Sequence, residues 1–235
     1  MAKSISGCDG VSAIVEEPVR EVVKNKNADA YFDEFPVCIP GASSVEKHYV
    51  PGAKYCLVHI RQVHRARNDE AFLPKIKSVQ SDIYEILSFM IDKMGVKEVY
   101  AEGMTERTVD LYESARDSRL RIIQSCFENG MEIPSGLEIS EEYNAVKRLF
   151  NEGRINLKAA EDLAINDQSY HDYDALFRGR EHFALEVIAK NPVNLMPVLV
   201  YGAKHDWLDN VADWNKLHPD EKFSLIVVTP ESYKN

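Results

Sequence analysis

The 235-residue chain lacks the features of disulfide-stapled, zinc-binding or membrane-spanning proteins. None of its four cysteines lies in a CxxC pair or another spacing typical of zinc sites. No apolar run approaches the ~20 residues that a spanning helix requires. We therefore predict that the chain has no transmembrane segment. Cys56 and Cys126 lie within apolar runs, and we expect both to be buried as small hydrophobic side chains.

Basic residues are scarce relative to acidic ones, with 28 Lys and Arg against 38 Asp and Glu, and the net charge is −10. A chain this acidic lacks the general positive field that attracts nucleic acid, so we expect no nucleic-acid partner. The remaining composition is ordinary, with 45% hydrophobic and 28% charged residues. A chain of this length buries an adequate core without disulfide or metal staples.

Residues 5–8, Ile-Ser-Gly-Cys, match the small-residue pattern that precedes the lipidated cysteine of bacterial lipoproteins. Only four residues precede this pattern, and they supply no apolar segment of a signal peptide. The sequence as written therefore predicts a cytoplasmic protein. The alternative is that an N-terminal leader is missing and that Cys8 carries a lipid anchor.

Two regions are predicted from composition and periodicity. Proline and glycine interrupt residues 1–53, which we interpret as an irregular N-terminal arm. Residues 54–235 are predicted to form a single α/β domain. Its strands are indicated by four short apolar runs, at 55–60, 96–101, 197–201 and 223–228.

The most regular helical pattern lies between the first two predicted strands. Apolar residues recur every three or four positions from Ile76 to Met94, and Gly95 follows where a helix commonly ends. A strand, a helix and a second strand in this order predict a parallel pair. Residues from about 105 to 175 are predicted to be a helical insertion covering the carboxyl edge of the sheet, with one short helix at 156–165. The expected fold is a three-layer α/β domain with a mainly parallel central sheet.

Polar side chains follow three of the predicted strands. His64 follows the first strand, Glu102 the second and His205 the third. Because ligands of parallel sheets bind beyond the carboxyl ends of the strands, we expect these three residues to converge. Two imidazoles and a carboxylate either hold a divalent metal, such as Mn²⁺, Co²⁺ or Zn²⁺, or perform acid–base chemistry.

Arg180 lies on the last predicted helix before the third strand. We predict that it contacts Glu102, because a partly buried carboxylate needs a charged partner and a guanidinium can donate two parallel bonds. Arg180 would then act as a positioning or electrostatic group in the site.

The order of these segments resembles the superfamily that groups the TraB/PrgY proteins, the TIKI proteases, the haem-binding ChaN lipoproteins and the erythromycin esterases. The segment Val200 to His205 is similar to the last Gly-x-x-His of that group, and Val99 to Gly103 to its second strand and acidic residue. Arg180-Glu181 followed by Ala184 is similar to its Arg-(Asp/Glu)-x-x-x-Ala helix.

Two positions depart from the pattern. Arg61 stands where the first Gly-x-x-His motif has glycine, and Gln62 stands where esterase-like members have glutamate. The resemblance implies a hydrolase of a small molecule or a peptide that uses His64, Glu102, Arg180 and His205, with or without a metal. It also implies two alternatives, which are a ChaN-like protein that binds haem without turnover and a scaffold whose site has lost activity.

Overall fold

The computed structural model describes residues 27–63, 70–132, 144–162, 173–191, 194–205 and 207–233. Six strands are present in these ranges: β1 (Ala42–His48), β2 (Tyr55–Gln62), β3 (Glu98–Ala101), β4 (Asn156–Ala159), β5 (Val198–Gly202) and β6 (Phe223–Pro230). The same ranges contain six α-helices: α1 (Ala28–Glu34), α2 (Leu73–Met94), α3 (Glu106–Glu128), α4 (Ala145–Asn151), α5 (Tyr173–Ala189) and α6 (Trp207–Leu217). None of the helices described is long and apolar enough to cross a membrane.

The six strands form one sheet in the order β1-β6-β2-β5-β3-β4. All neighbouring pairs are parallel except β1 and β6, so the sheet is mainly parallel with one antiparallel edge strand. The central strand β2 pairs with β5 at Val58↔Val198 and with β6 at Val58↔Ile226. Strands buried on both faces require nearly continuous apolar sequence, and β2, β5 and β6 have it.

Helices cover both faces of the sheet, which confirms the predicted three-layer α/β fold. Helices α1, α2 and α4 pack on one face, against the apolar side chains of β2, β3 and β5 that include Val58, Val99 and Val200. Helices α5 and α6 pack on the other face, against Leu57 and Leu199 of the same sheet. Strands alternate their side chains between the two faces, and β2, β3, β5 and β6 contribute to both cores.

Helix α2 confirms the strongest periodic pattern of the sequence. Its face from Ile76 to Met90 is buried against the sheet, and the polar side is exposed. Gly95 ends the helix in a left-handed conformation, at φ 72°, and its N–H donates to the carbonyl of Ile91. The expected burial of Cys56 and Cys126 is also confirmed.

The arm predicted to be irregular contains regular structure in its described part. Helix α1 packs on the first face of the sheet, and β1 pairs with β6 from Ala42↔Pro230 to His48↔Leu225. Strand β1 carries no apolar run because it lies at the sheet edge and its side chains are only partly buried. Cys8 lies outside the described residues, as does the start of the arm.

The prediction of a helix at 156–165 is wrong for its first four residues. Asn156–Ala159 is strand β4, which is parallel to β3. The strand is only four residues long, and Leu157 is its one fully buried apolar residue. The segment from α3 to β4 therefore returns to the sheet, and α4 packs on the same face as α2. The predicted helical insertion thus contributes a strand to the sheet.

Candidate functional site at the carboxyl edge

The carboxyl ends of three adjacent strands place charged residues together. Glu102 directly follows β3, Glu161 lies two residues after β4, and His205 lies three residues after β5. Since β4, β3 and β5 are parallel neighbours, these residues leave the sheet at the same edge. Helix α5 lies beside them and supplies Arg180 and Glu181.

Glu102 accepts hydrogen bonds from the backbone and from a side chain. The N–H of Gly202 donates to Glu102 Oε2 at 2.5 Å, because β3 and β5 pair at Ala101↔Val200 and bring these residues side by side. Arg180 Nη2 donates to Glu102 Oε1 at 3.2 Å. This confirms the predicted contact between Arg180 and Glu102. The Glu102 side chain is 11% exposed, so the carboxylate is largely removed from water.

Glu161 is the most deeply buried carboxylate of the cluster, with a side chain that is 1% exposed. Its Oε1 accepts hydrogen bonds from the N–H of Gly103 at 3.0 Å, from the hydroxyl of Tyr201 at 3.0 Å and from Arg180. Burial and the nearby Glu161 carboxylate raise the pKa of Tyr201, so its phenol stays protonated as a donor. Arg180 therefore joins two carboxylates that come from different strands.

His205 lies between two carboxylates. Its Nδ1 is 2.5 Å from Glu181 Oε1, and its Nε2 is 3.7 Å from Glu102 Oε1. Asn210 of α6 donates to the other oxygen of Glu181 and fixes that side chain. Burial alone would lower the pKa of His205, but the contacts with Glu102 and Glu181 outweigh it and raise the pKa above its ordinary value.

The structure brings together Glu102, Arg180 and His205, which are three of the four predicted site residues. His64 lies outside the described residues. His59, on β2, is a core histidine, because it is buried and its Nε2 donates to the carbonyl of Tyr201 at 3.2 Å. Burial lowers the pKa of His59 to about 3, so its imidazole is neutral near pH 7.

The described residues do not by themselves fit a metal ion. Among the residues placed by the structure, no group of three or more His, Cys, Asp and Glu side chains could hold one. The guanidinium of Arg180 already lies against Glu102 and Glu161, where a metal would compete with it. The predicted metal centre depends on His64 and stays a prediction.

An open cleft lies beside His205, on the side of the sheet that α6 covers. It has a volume of about 380 Å³, and its walls come from β1, β2, β6 and the start of α6. A second, much smaller cavity of about 30 Å³ touches Glu102 and Gln62. Arg61 lines the larger cleft and Gln62 is buried at the smaller one, so both departures from the family pattern lie next to the site.

Sequence reasoning missed the roles of Glu161 and Glu181. The signal for Glu161 was its place just after a strand, which the predicted helix at 156–165 concealed. Glu181 was noted as part of the Arg-(Asp/Glu)-x-x-x-Ala pattern, but no function was predicted for it. Its contact with His205 is visible only in the tertiary structure.

No protein-family model, no curated protein and no solved structure matches this chain. The resemblance to the TraB, TIKI, ChaN and erythromycin-esterase superfamily therefore rests on the short motifs alone and stays a prediction.

Proposed function

We propose that the protein is a hydrolase whose acid–base group is His205. The observation that carries this proposal is the series of contacts from Glu181 through His205 to Glu102 at the wall of a 380 Å³ cleft. A carboxylate bound to one imidazole nitrogen fixes the tautomer and directs the other nitrogen to the reaction. Here the Nδ1–H of His205 donates a hydrogen bond to Glu181, so Nε2 is the nitrogen that exchanges a proton with water or substrate.

The proposed step uses residues of this chain alone. With Nε2 deprotonated, His205 removes a proton from a water molecule as that water attacks an ester or amide carbonyl. The imidazolium formed in this step is stabilised by the carboxylates of Glu181 and Glu102. His205 then returns the proton to the leaving group, so the enzyme recovers its starting state.

Arg180 is a positioning residue in this proposal. Its charge is shared by Glu102 and Glu161, so little of it remains to stabilise an oxyanion directly. It holds Glu102 within reach of His205 and prevents the two carboxylates from repelling each other. A group with this role acts through geometry and through the pKa of its neighbours.

Hydrolysis of p-nitrophenyl acetate by purified protein tests the proposal. We expect turnover by the wild type and a loss of at least ~100-fold in His205→Gln, since general acid–base groups contribute about this much. His182→Gln is the matched control, because His182 is an exposed histidine on helix α5. Equal rates in the wild type and His205→Gln would contradict the proposal. A Soret band on addition of haem, without His205-dependent turnover, would favour the binding alternative.

A further inference from the structure

The cleft beside His205 has a charge opposite to that of the whole chain. Among the described residues, its lining includes the cations Arg61 and Lys204 and one carboxylate, that of Glu46, whereas the protein carries a net charge of −10. His205, whose pKa is raised, adds positive charge when protonated. A positively charged concave surface attracts anions and raises their local concentration.

Neither of the two cations is paired with a carboxylate in the part of the chain that the structure describes. Arg61 Nη1 donates to the neutral hydroxyl of Thr229 at 3.4 Å, which holds the guanidinium at the end of β2 without neutralising it. Lys204 is exposed in the turn after β5. Elsewhere in the chain, arginines such as Arg148, Arg154 and Arg180 contact carboxylates. Within the described ranges, then, no carboxylate neutralises Arg61, and its guanidinium lines the cleft.

The lining of the cleft also includes apolar side chains. Trp207 and Val227 line it, and Leu208 is 45% exposed there. The indole Nε1 of Trp207 is buried and has no hydrogen-bond partner among the described residues. Pockets that bind small molecules combine apolar surface with placed polar groups, and this cleft has both kinds of side chain in its lining.

We infer that the cleft binds a small organic anion, whose carboxylate or phosphate contacts Arg61 and Lys204 and whose apolar part packs on Trp207 and Leu208. The inference deepens the proposed function, on which it rests, by naming anionic esters or amides as the substrate class. Arg61 occupies the position that is glycine in the first Gly-x-x-His motif of the superfamily that the chain resembles. We therefore expect this preference for anions to be specific to proteins with a cation at that position.

Isothermal titration calorimetry with phenyl phosphate, benzoate and the neutral analogue phenol tests the inference. We expect at least one of the two anions to bind to the wild type, and its affinity to fall about tenfold or more in Arg61→Gln and in Lys204→Gln. Arg148→Gln, on the opposite face of the sheet, is the charge-matched control and is expected to bind as the wild type does. The preferred anion identifies the oxyanion as phosphate or carboxylate.

The absence of binding by either anion would overturn the inference. So would phenol binding as tightly as the anions, or unchanged affinity in both Arg61→Gln and Lys204→Gln. Lys204 is an exposed turn residue, so its variant remains informative if Arg61→Gln fails to fold. Binding is measured without turnover, so a failure of the hydrolase proposal, seen as absent His205-dependent hydrolysis, is distinguishable from a failure of anion binding.

Discussion

Arg180 contacts two buried carboxylates. Its removal takes this charged partner away from Glu161, which is 1% exposed, and from Glu102, which is 11% exposed. Breaking one side of a buried ion pair costs about 3 kcal/mol, because an uncompensated charge stays away from water. We therefore expect Arg180→Gln to lower the free energy of unfolding by about this amount near pH 7, as measured by urea denaturation.

Arg178→Gln is the control for this substitution. Arg178 lies two residues earlier on the same helix and is exposed, so its loss should change stability by less than about 0.5 kcal/mol. If Arg180→Gln and Arg178→Gln had equal free energies of unfolding, the contacts of Arg180 would not stabilise the fold.

At the scale of single residues, part of the site was predictable. Glu102 and His205 each follow an apolar run that has to be a strand, and Arg180 stands on a helix that has to pack on the sheet. Glu161 was not predictable, because its strand contains four residues and one buried apolar side chain. The contact between Glu181 and His205 depends on the approach of α5 to the sheet, which no local pattern specifies.

Among the elements, β1 depends on one glycine for its position. Gly41, at the start of the strand, has φ 79°, and a Cβ there would lie 2.7 Å from the carbonyl oxygen of Asp82 in α2. Backbone atoms of a packed helix cannot move away at low cost. We expect Gly41→Ala to displace β1 from α2 and to destabilise the fold strongly.

Gly41→Ala has two costs, which are backbone strain at a positive φ and the clash of the Cβ with α2. Gly52→Ala separates these two costs. Gly52 has φ 70°, but a Cβ there meets nothing within 4 Å, so only backbone strain contributes. The loss of unfolding free energy in Gly41→Ala should exceed that in Gly52→Ala by at least about 1 kcal/mol, which is typical of overpacking. Equal losses in thermal or urea denaturation would mean that contact between β1 and α2 is loose.

Element prediction succeeded where burial is complete and failed where it is partial. Strands β2, β5 and β6 and helix α2 are buried along most of one face or both, and this burial requires a continuous or periodic apolar sequence. The edge strands β1 and β4 meet neighbours on one side only, so their sequences carry little such signal. Both unpredicted strands are therefore the outermost ones.

For the whole molecule, the topology explains why the charges meet. The crossover through α3 and α4 returns the chain to β4 beside β3, and α5 then leads into β5 on the other side of β3. Three strand ends and one helix therefore surround the same point at the carboxyl edge. Of the described residues that line the cleft beside His205, two are permanent cations and one is a carboxylate, whereas the whole chain has a net charge of −10.

The central claim is that Glu181 and Glu102 hold His205 as a group of raised basicity. NMR titration of the His205 imidazole, assigned by its absence in His205→Gln, tests this directly. We predict a midpoint above the ordinary value of about 6.5, and a lower midpoint in Glu181→Gln than in the wild type, because removal of an adjacent negative charge disfavours the imidazolium. Glu186→Gln, at a half-exposed position of the same helix, should leave the midpoint unchanged. A wild-type midpoint at or below 6.5, or one that Glu181→Gln does not move, would contradict the account.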